Sequence, residues 1–133
     1  MKPTLKPGLT HARNITVDES RVIEFMGRDC RVYATPRIIS DVEYTCRDFL
    51  LEHLDPGEDS VGTRVNWEHV GPALFGDVVA IAIKLAGIDG RRVTFEATVN
   101  AGPDAVARGT HERFIVDVHR VRERLLKKMA QRS

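Results

Sequence analysis

A carboxylate stands on the edge of an apolar stripe near the middle of the chain. When this segment is wound as a helix, Glu43 falls in line with Ile39, Cys46 and Leu50, so it needs either a partner or a function. Burial raises the pKa of a carboxyl group, and a nearby cation or N–H donor lowers it, which is how enzymes prepare a general base or a carboxylate nucleophile. The simpler alternative is a glutamate that reaches solvent or pairs with Arg47 one helical turn later.

Two further polar residues could act with this carboxylate. Thr35 precedes Pro36 at the start of the same segment, where its hydroxyl could cap the helix or donate a hydrogen bond to a ligand. His69 ends a predicted strand just before Gly71, and a histidine there could transfer a proton or serve only the structure. None of the three residues decides the chemistry by itself.

The segment that carries Thr35 and Glu43 has the pattern of one long helix. Its apolar residues recur at three- and four-residue spacing from Ile38 to Leu54, and Asp55-Pro56-Gly57 ends it. About five turns of helix span roughly 28 Å. On one straight helix Thr35 and Glu43 would lie roughly 12 Å apart along the axis, so a bend, a substrate or a water molecule would have to connect them.

The rest of the chain is dominated by the two-residue period of strands. Asp89-Gly90 is the dipeptide that a tight hairpin turn prefers, and the segment after it alternates apolar and polar residues. Residues 18–34 show no clear pattern. We predict strands at 10–17, 61–70, 77–88, 93–99 and from the turn at 101–104 to about His119, and a C-terminal helix at 120–130.

These elements predict an α+β protein with a hotdog fold, in which an antiparallel β-sheet wraps around one long central helix and a short C-terminal helix follows. The 133 residues suit a single domain, 1–133, with one core. A single helix leaves sheet area and an edge strand exposed, so we expect a homodimer or a dimer of dimers.

Composition argues against several classes of protein. No apolar run approaches the roughly 18 residues that span a bilayer, and no hydrophobic stretch follows the basic N-terminus as in a secretory signal. We therefore expect a cytoplasmic protein with no membrane contact. The net charge of +1 argues against a nucleic-acid partner, and the basic residues after His119 are interpreted as a solvated helix face.

The cysteines and histidines do not form a metal-binding pattern. Cys30 and Cys46 are too few for a disulfide scaffold or a zinc site and are predicted to be reduced packing residues. The remaining histidines have no mutual spacing that suggests a metal site; they are His11, His53, His111 and His119. We expect no metal and no bound cofactor.

Several short motifs together resemble the fluoroacetyl-CoA thioesterase branch of the hotdog superfamily. The resemblance covers about residues 30–120. It lies in Ala34-Thr35-Pro36, in Glu43, in the run from Leu54 to Thr63, in His69 and in Gly109-Thr110-His111-Glu112-Arg113.

The resemblance implies that Thr35, Glu43 and His69 form the reactive group. Glu43 would then act as general base or as nucleophile on the thioester carbonyl, His69 would handle the proton or activate water, and Thr35 would orient Glu43 or the substrate. The backbone N–H of Gly62 is a candidate donor to the developing oxyanion, because a residue without a side chain permits close approach. Arg113 could hold a carboxylate or a phosphate.

For Arg113 the alternative is a cross-strand ion pair with a residue such as Glu96. The aromatic lid that the branch carries before its central helix has only Phe25 and Tyr33 as counterparts here, so fluoroacetyl specificity is not implied.

The function implied is that of an acyl-CoA thioesterase, which hydrolyses a small acyl-CoA thioester to the free acid and CoA. Coenzyme A would enter only as part of the substrate. A hotdog hydratase or dehydratase is one alternative, and Asp48 and His53 are the closest carboxylate and histidine on the helix. The other is an acyl-CoA binding module without turnover, which would tolerate the loss of Glu43.

Overall fold

The computed structural model describes residues 1–132, and within them the chain forms seven strands and two α-helices. In chain order these are β1 (Thr10–Thr16), β2 (Val22–Ile23), β3 (Val32–Tyr33), α1 (Thr35–Leu51), β4 (Glu58–His69), β5 (Val78–Asp89), β6 (Arg92–Ala101), β7 (Asp104–Asp117) and α2 (Val118–Gln131).

Helix α1 forms where the apolar spacing predicts it. Its buried residues include Ile38, Val42, Cys46 and Phe49, which recur at three- and four-residue spacing and turn one face to the sheet. The start of the helix differs from the prediction in one respect. Thr35 is already inside the helix, and Ala34 occupies the capping position without a side-chain hydrogen bond. The capping role considered for Thr35 is therefore wrong, and its hydroxyl is free for another partner.

The main sheet is antiparallel, with the strand order β1-β5-β6-β7-β4, so β1 and β4 are its two edges. Asp89 and Arg92 pair across the β5–β6 turn, and Gly90 in that turn has a φ of 61°, which glycine adopts at little cost. This confirms the predicted hairpin. Alternate residues of β5 point into the core, as the two-residue period requires.

The core lies between α1 and the inner face of the sheet. Phe49 on α1 meets Phe95 on β6 edge-on, with ring centroids 6.3 Å apart. Val79, Ile81 and other inward residues of β5, β6 and β7 complete this core.

The unassigned stretch 18–34 contains a short 3-10 turn and the two-stranded sheet of β2 and β3. The Arg21 guanidinium donates two hydrogen bonds to the Asp41 carboxylate of α1, at 2.9 and 3.1 Å, and the Tyr33 hydroxyl donates to the same carboxylate. This buried cluster fixes the chain where it enters α1. Desolvation by burial and the Asp41 carboxylate both raise the pKa of the Tyr33 hydroxyl.

The two cysteines differ in environment. Cys46 is fully buried as predicted, and burial raises the pKa of its thiol to about 12. Cys30 is exposed, so the prediction that it packs in the core is wrong. Both are free thiols.

Helix α2 follows β7 directly and begins with a side-chain cap, because the Asp117 carboxylate accepts a hydrogen bond from the Arg120 backbone N–H at 3.1 Å. No residue of α2 is buried, yet Val118, Leu125 and Met129 form an apolar side of it. No helix within residues 1–132 has the length and apolar character needed to cross a bilayer.

Candidate active site

The start of α1 meets the end of β4, and this brings two of the predicted catalytic residues together. Thr35 Oγ1 and His69 Nδ1 are 2.7 Å apart, which is a normal hydrogen-bond length. Both residues are exposed. His69 Nε2 has no hydrogen-bond partner among residues 1–132, so this nitrogen can exchange a proton with a bound molecule.

Glu43 lies further along α1, where it is half-buried against the first half of β4, near Gly62. Its carboxylate makes no hydrogen bond or ion pair within the described chain. Arg47, considered as a partner for Glu43, instead donates to the Asp59 carboxylate at 2.7 and 3.1 Å, so the predicted alternative of a pair between Glu43 and Arg47 is wrong. The Glu43 oxygens are therefore available to a substrate or a water molecule.

Gly62 of β4 faces the Glu43 carboxylate at close range. A methyl group at Gly62 would sit 3.2 Å from Glu43 Oε1, 3.2 Å from His111 Cε1 and 3.6 Å from Arg113 Nη1. The three side chains therefore meet at one point of the strand, next to a register shift between Gly62 and Arg64 in the pairing of β4 with β7. Only a residue without a side chain leaves this space open.

Arg113 is buried on β7 with 4% of its surface exposed. Its Nε donates to Ser60 Oγ at 2.7 Å and its Nη2 donates to the Ser60 carbonyl at 2.8 Å. Burial lowers the pKa of this guanidinium, and the negative charge of Glu43 opposes that effect. The predicted alternative of a pair with Glu96 is wrong, since Glu96 lies opposite Thr110 in the sheet.

His111 is a member of this cluster that received no chemical role from the sequence, although it lies in the Gly109–Arg113 motif of the resemblance. It is 1% exposed, and its Nδ1 lies 2.9 Å from the Arg64 carbonyl oxygen. Nδ1 must therefore carry the proton and donate it to that oxygen, which leaves Nε2 to accept from Arg113 Nη1 at 3.2 Å. Burial lowers the pKa of His111, in agreement with a neutral ring. The signal was in the sequence, because positions 111 and 113 share one face of a strand.

The predicted catalytic residues form two separate groups within one chain. Thr35 and His69 are at one end of β4, while Glu43 contacts the region of Gly62, about 20 Å away at the rise of an extended strand. Helix α1 is continuous between Thr35 and Glu43, so the bend considered from the sequence does not occur. A single chain does not bring all three side chains together.

Other candidates for chemistry have partners elsewhere. The Asp48 carboxylate accepts a hydrogen bond from Arg13 at 2.9 Å, and His53 Nδ1 lies 2.8 Å from Thr4 Oγ1. The structure therefore gives the hydratase alternative no carboxylate and histidine pair on α1. No group of three or more His, Cys, Asp or Glu side chains in residues 1–132 is placed to hold a metal ion.

Comparisons with known proteins agree with this architecture. The fold is the hotdog fold, as predicted, and it is shared with the hot-dog-like protein from Thermanaerovibrio acidaminovorans, with a TM-score of 0.83 at 21% identity over 96% of this chain and 93% of that one. Residues 17–119 match the model of the family described as fluoroacetyl-CoA-specific thioesterase, FlK. The chain belongs to this family of thioester hydrolases, which confirms the resemblance seen in its motifs.

Individual relatives are similar over most of their length. The fluoroacetyl-CoA thioesterase of Streptantibioticus cattleyicolor is 28% identical over 97 residues, which are 73% of this chain and 70% of that protein. A solved structure of the fluoroacetyl-CoA thioesterase FlK has a TM-score of 0.84 at 22% identity, over 93% of this chain and 97% of that one. A thioesterase superfamily member from Thermus thermophilus has a TM-score of 0.85 at 24% identity, over 98% and 96% of the two chains.

Proposed function

We propose that this protein hydrolyses a small acyl-CoA thioester to the free acid and CoA, with Glu43 as the residue that acts on the thioester or on water. The observation that carries the proposal is that the Glu43 carboxylate is unpaired. Its carboxylate is half-buried and has no partner within residues 1–132, and it lies beside Gly62 and a buried guanidinium. In a chain of a thioesterase family, an unpaired carboxylate in that position is suited to attack.

Two routes fit an unpaired carboxylate. In the first, a Glu43 oxygen attacks the thioester carbonyl carbon, CoA leaves as the thiolate, and water then hydrolyses the acyl-glutamate anhydride. In the second, Glu43 takes a proton from a water molecule that attacks the same carbon. Both routes develop negative charge on the carbonyl oxygen. We assign its stabilisation to the backbone N–H of Gly62 and to the positive charge of Arg113.

The Thr35 and His69 pair enters the site through a second copy of the chain. Strand β4 is a 12-residue edge, and an antiparallel pairing with the same edge of another copy would cover it in a two-fold dimer. If the two-fold axis lies near Val65, the pairing brings the partner's His69 beside Gly62. We therefore propose a homodimer with two sites, each with Glu43 from one chain and the Thr35–His69 pair from the other.

An apolar surface next to this edge supports the same dimer. An open cleft of about 350 Å³ lies between β4 and α2, lined by residues that include Val61, Val118, Leu125 and Met129. These four side chains are 44–62% exposed, and Val65 on the edge is 40% exposed. Because this surface continues from the β4 edge, its occupant in our proposal is the second copy.

The acyl group is an ordinary small one in this proposal. Of the two aromatic residues before α1, Tyr33 is buried and bonded to Asp41, so it does not close over a ligand. Phe25 is 87% exposed and packs on nothing within the described chain that would fix it as a lid.

The test is steady-state hydrolysis of a panel of acyl-CoA thioesters, from acetyl to hexanoyl with aromatic and fluoroacetyl members. We expect Glu43→Gln to lower kcat/KM by about a hundredfold or more, because the amide can neither attack nor accept a proton. Glu96→Gln, an exposed carboxylate on β6, is the matched control and should keep the wild-type rate. Full activity in Glu43→Gln would contradict the role proposed for Glu43. Binding without turnover by the wild type would contradict the proposed hydrolysis and favour a binding module.

A further inference from the structure

Arg113 is a buried cation that forms no ion pair with any carboxylate among residues 1–132. This is unusual, because a buried charge without a direct ion pair is costly and the Glu43 carboxylate is within reach of the same point at Gly62. Three neutral acceptors take its hydrogen bonds instead: the Ser60 hydroxyl, the Ser60 carbonyl and the His111 ring.

His111 is the acceptor that holds the end of the guanidinium nearest to Glu43. Nη1 is the atom that points both to His111 Nε2, at 3.2 Å, and to the space at Gly62 shared with Glu43 Oε1. Without this acceptor, the N–H of Nη1 would turn to the strongest acceptor in reach, which is the carboxylate.

The His111 ring is itself fixed in the form that can accept. Its Nδ1–H donates to the Arg64 carbonyl at 2.9 Å, and Arg64 follows the register shift that begins at Gly62. A proton on Nε2 would point a donor at the Arg113 donor, so the neutral Nδ1–H tautomer is the one that fits both neighbours.

We propose that His111 is a positioning residue, which holds the Arg113 guanidinium beside Glu43 and out of direct contact with it. The arrangement keeps a positive charge close to the reacting oxygens while both Glu43 oxygens stay free. The kinetic consequence of this inference rests on the proposed thioesterase function, whereas the restraint on Arg113 does not.

Two substitutions separate the two hydrogen bonds of the ring. Gln places an amide oxygen near the Nε2 position and can still accept from Arg113, while Asn places an amide nitrogen near Nδ1 and keeps only the bond to the Arg64 carbonyl. His119→Gln on the exposed surface of α2 is the control for a histidine replacement.

The first readout is the effect of Glu43→Gln on Tm in three backgrounds: wild type, His111→Gln and His111→Asn. If Arg113 pairs with Glu43 only when the acceptor is missing, Glu43→Gln lowers Tm by a few degrees more in His111→Asn than in the other two. A purely structural role for His111 would lower Tm in its own variants and leave the effect of Glu43→Gln unchanged. Equal effects in all three backgrounds would overturn the inference.

The second readout is the separation of kcat from KM. We expect His111→Asn to lower kcat by roughly tenfold with little change in KM, because Arg113 then occupies the Glu43 carboxylate. His111→Gln, which can still accept from Arg113, should keep most of the wild-type kcat. Equal loss in both variants would also overturn the inference. If the wild type hydrolyses no thioester, the proposed function fails, and the Tm comparison still decides the role of His111.

Discussion

At the scale of single residues, the candidate site depends on the protonation of the His111 ring, which Arg113 and burial keep neutral. His111 is neutral because its ring is buried and because Arg113 donates to one of its nitrogens. The groups that face it are the Arg113 guanidinium, the Arg64 carbonyl and the Glu43 side chain of α1. Protonation of the ring would therefore place a second positive charge against Arg113.

This predicts a loss of stability in mild acid. The pKa of His111 in the folded protein is below its unfolded value of 6.5, so below about pH 6.5 the unfolded chain binds a proton that the folded chain does not. The free energy of unfolding should fall as the pH drops from about 7 to about 5, and should not depend on this group above about pH 7. Urea denaturation of the wild type, His111→Gln and His119→Gln between about pH 5 and pH 7 measures this change in the free energy of unfolding.

In that experiment His111→Gln should flatten the pH dependence, and His119→Gln should keep the wild-type slope. Glu58 and Asp59 have lowered pKa values, so their loss of stability belongs to more acidic conditions than this range. The same slope in wild type and His111→Gln would mean that the ring does not change its proton count on folding.

Gly62 leads to a second prediction at this scale. An alanine methyl there would lie 3.2 Å from both Glu43 Oε1 and His111 Cε1, so one of the two side chains must shift. We expect Gly62→Ala to lower kcat/KM by roughly tenfold or more, since a displacement of a few tenths of an ångström misaligns the carboxylate. Gly87→Ala on β5 is the matched control, because its added methyl group meets nothing within 4 Å. Equal activity of both alanine variants would place the chemistry elsewhere.

At the scale of secondary structure, the sequence was most informative where one pattern dominated. The apolar stripe predicted α1, an almost continuous apolar run before Asp89-Gly90 predicted β5, and alternation predicted β6. The shortest elements were not predicted. Strands β2 and β3 have two residues each, and what holds them is the Arg21, Asp41 and Tyr33 cluster, whose members come together only in the folded chain.

The elements also explain which parts of the candidate site could be read from sequence. The resemblance placed Thr35 and His69 in one reactive group with Glu43, and the contact between the first two follows from the start of α1 meeting the end of β4. The His111–Arg113 bond depends on how β7 lies against the register shift in β4, and no local pattern encodes that shift. The capping role considered for Thr35 failed because the helix begins one residue earlier than the Thr-Pro pair suggests.

At the scale of the whole molecule, the two groups of the candidate site lie apart in one chain and a dimer would bring them together. One chain holds Glu43 near Gly62 and the Thr35–His69 pair at the far end of the same strand. The β4 edge between them has unpaired backbone groups and exposed valines, Val61 and Val65. A two-fold pairing of this edge would satisfy the backbone and join the two groups in one step, which is why we connect dimer formation with activity.

Mixing two inactive variants tests this connection. If each site takes Glu43 from one chain and His69 from the other, a heterodimer of Glu43→Gln with His69→Ala has one intact site and one doubly defective site. Random exchange of equal amounts should then restore about a quarter of the wild-type rate, although each homodimer is inactive. If both residues of a site came from the same chain, every site in the mixture would lack one of them and no activity would return. Light scattering before and after mixing would show that dimers form and exchange, so that a silent mixture of true heterodimers counts against the shared site.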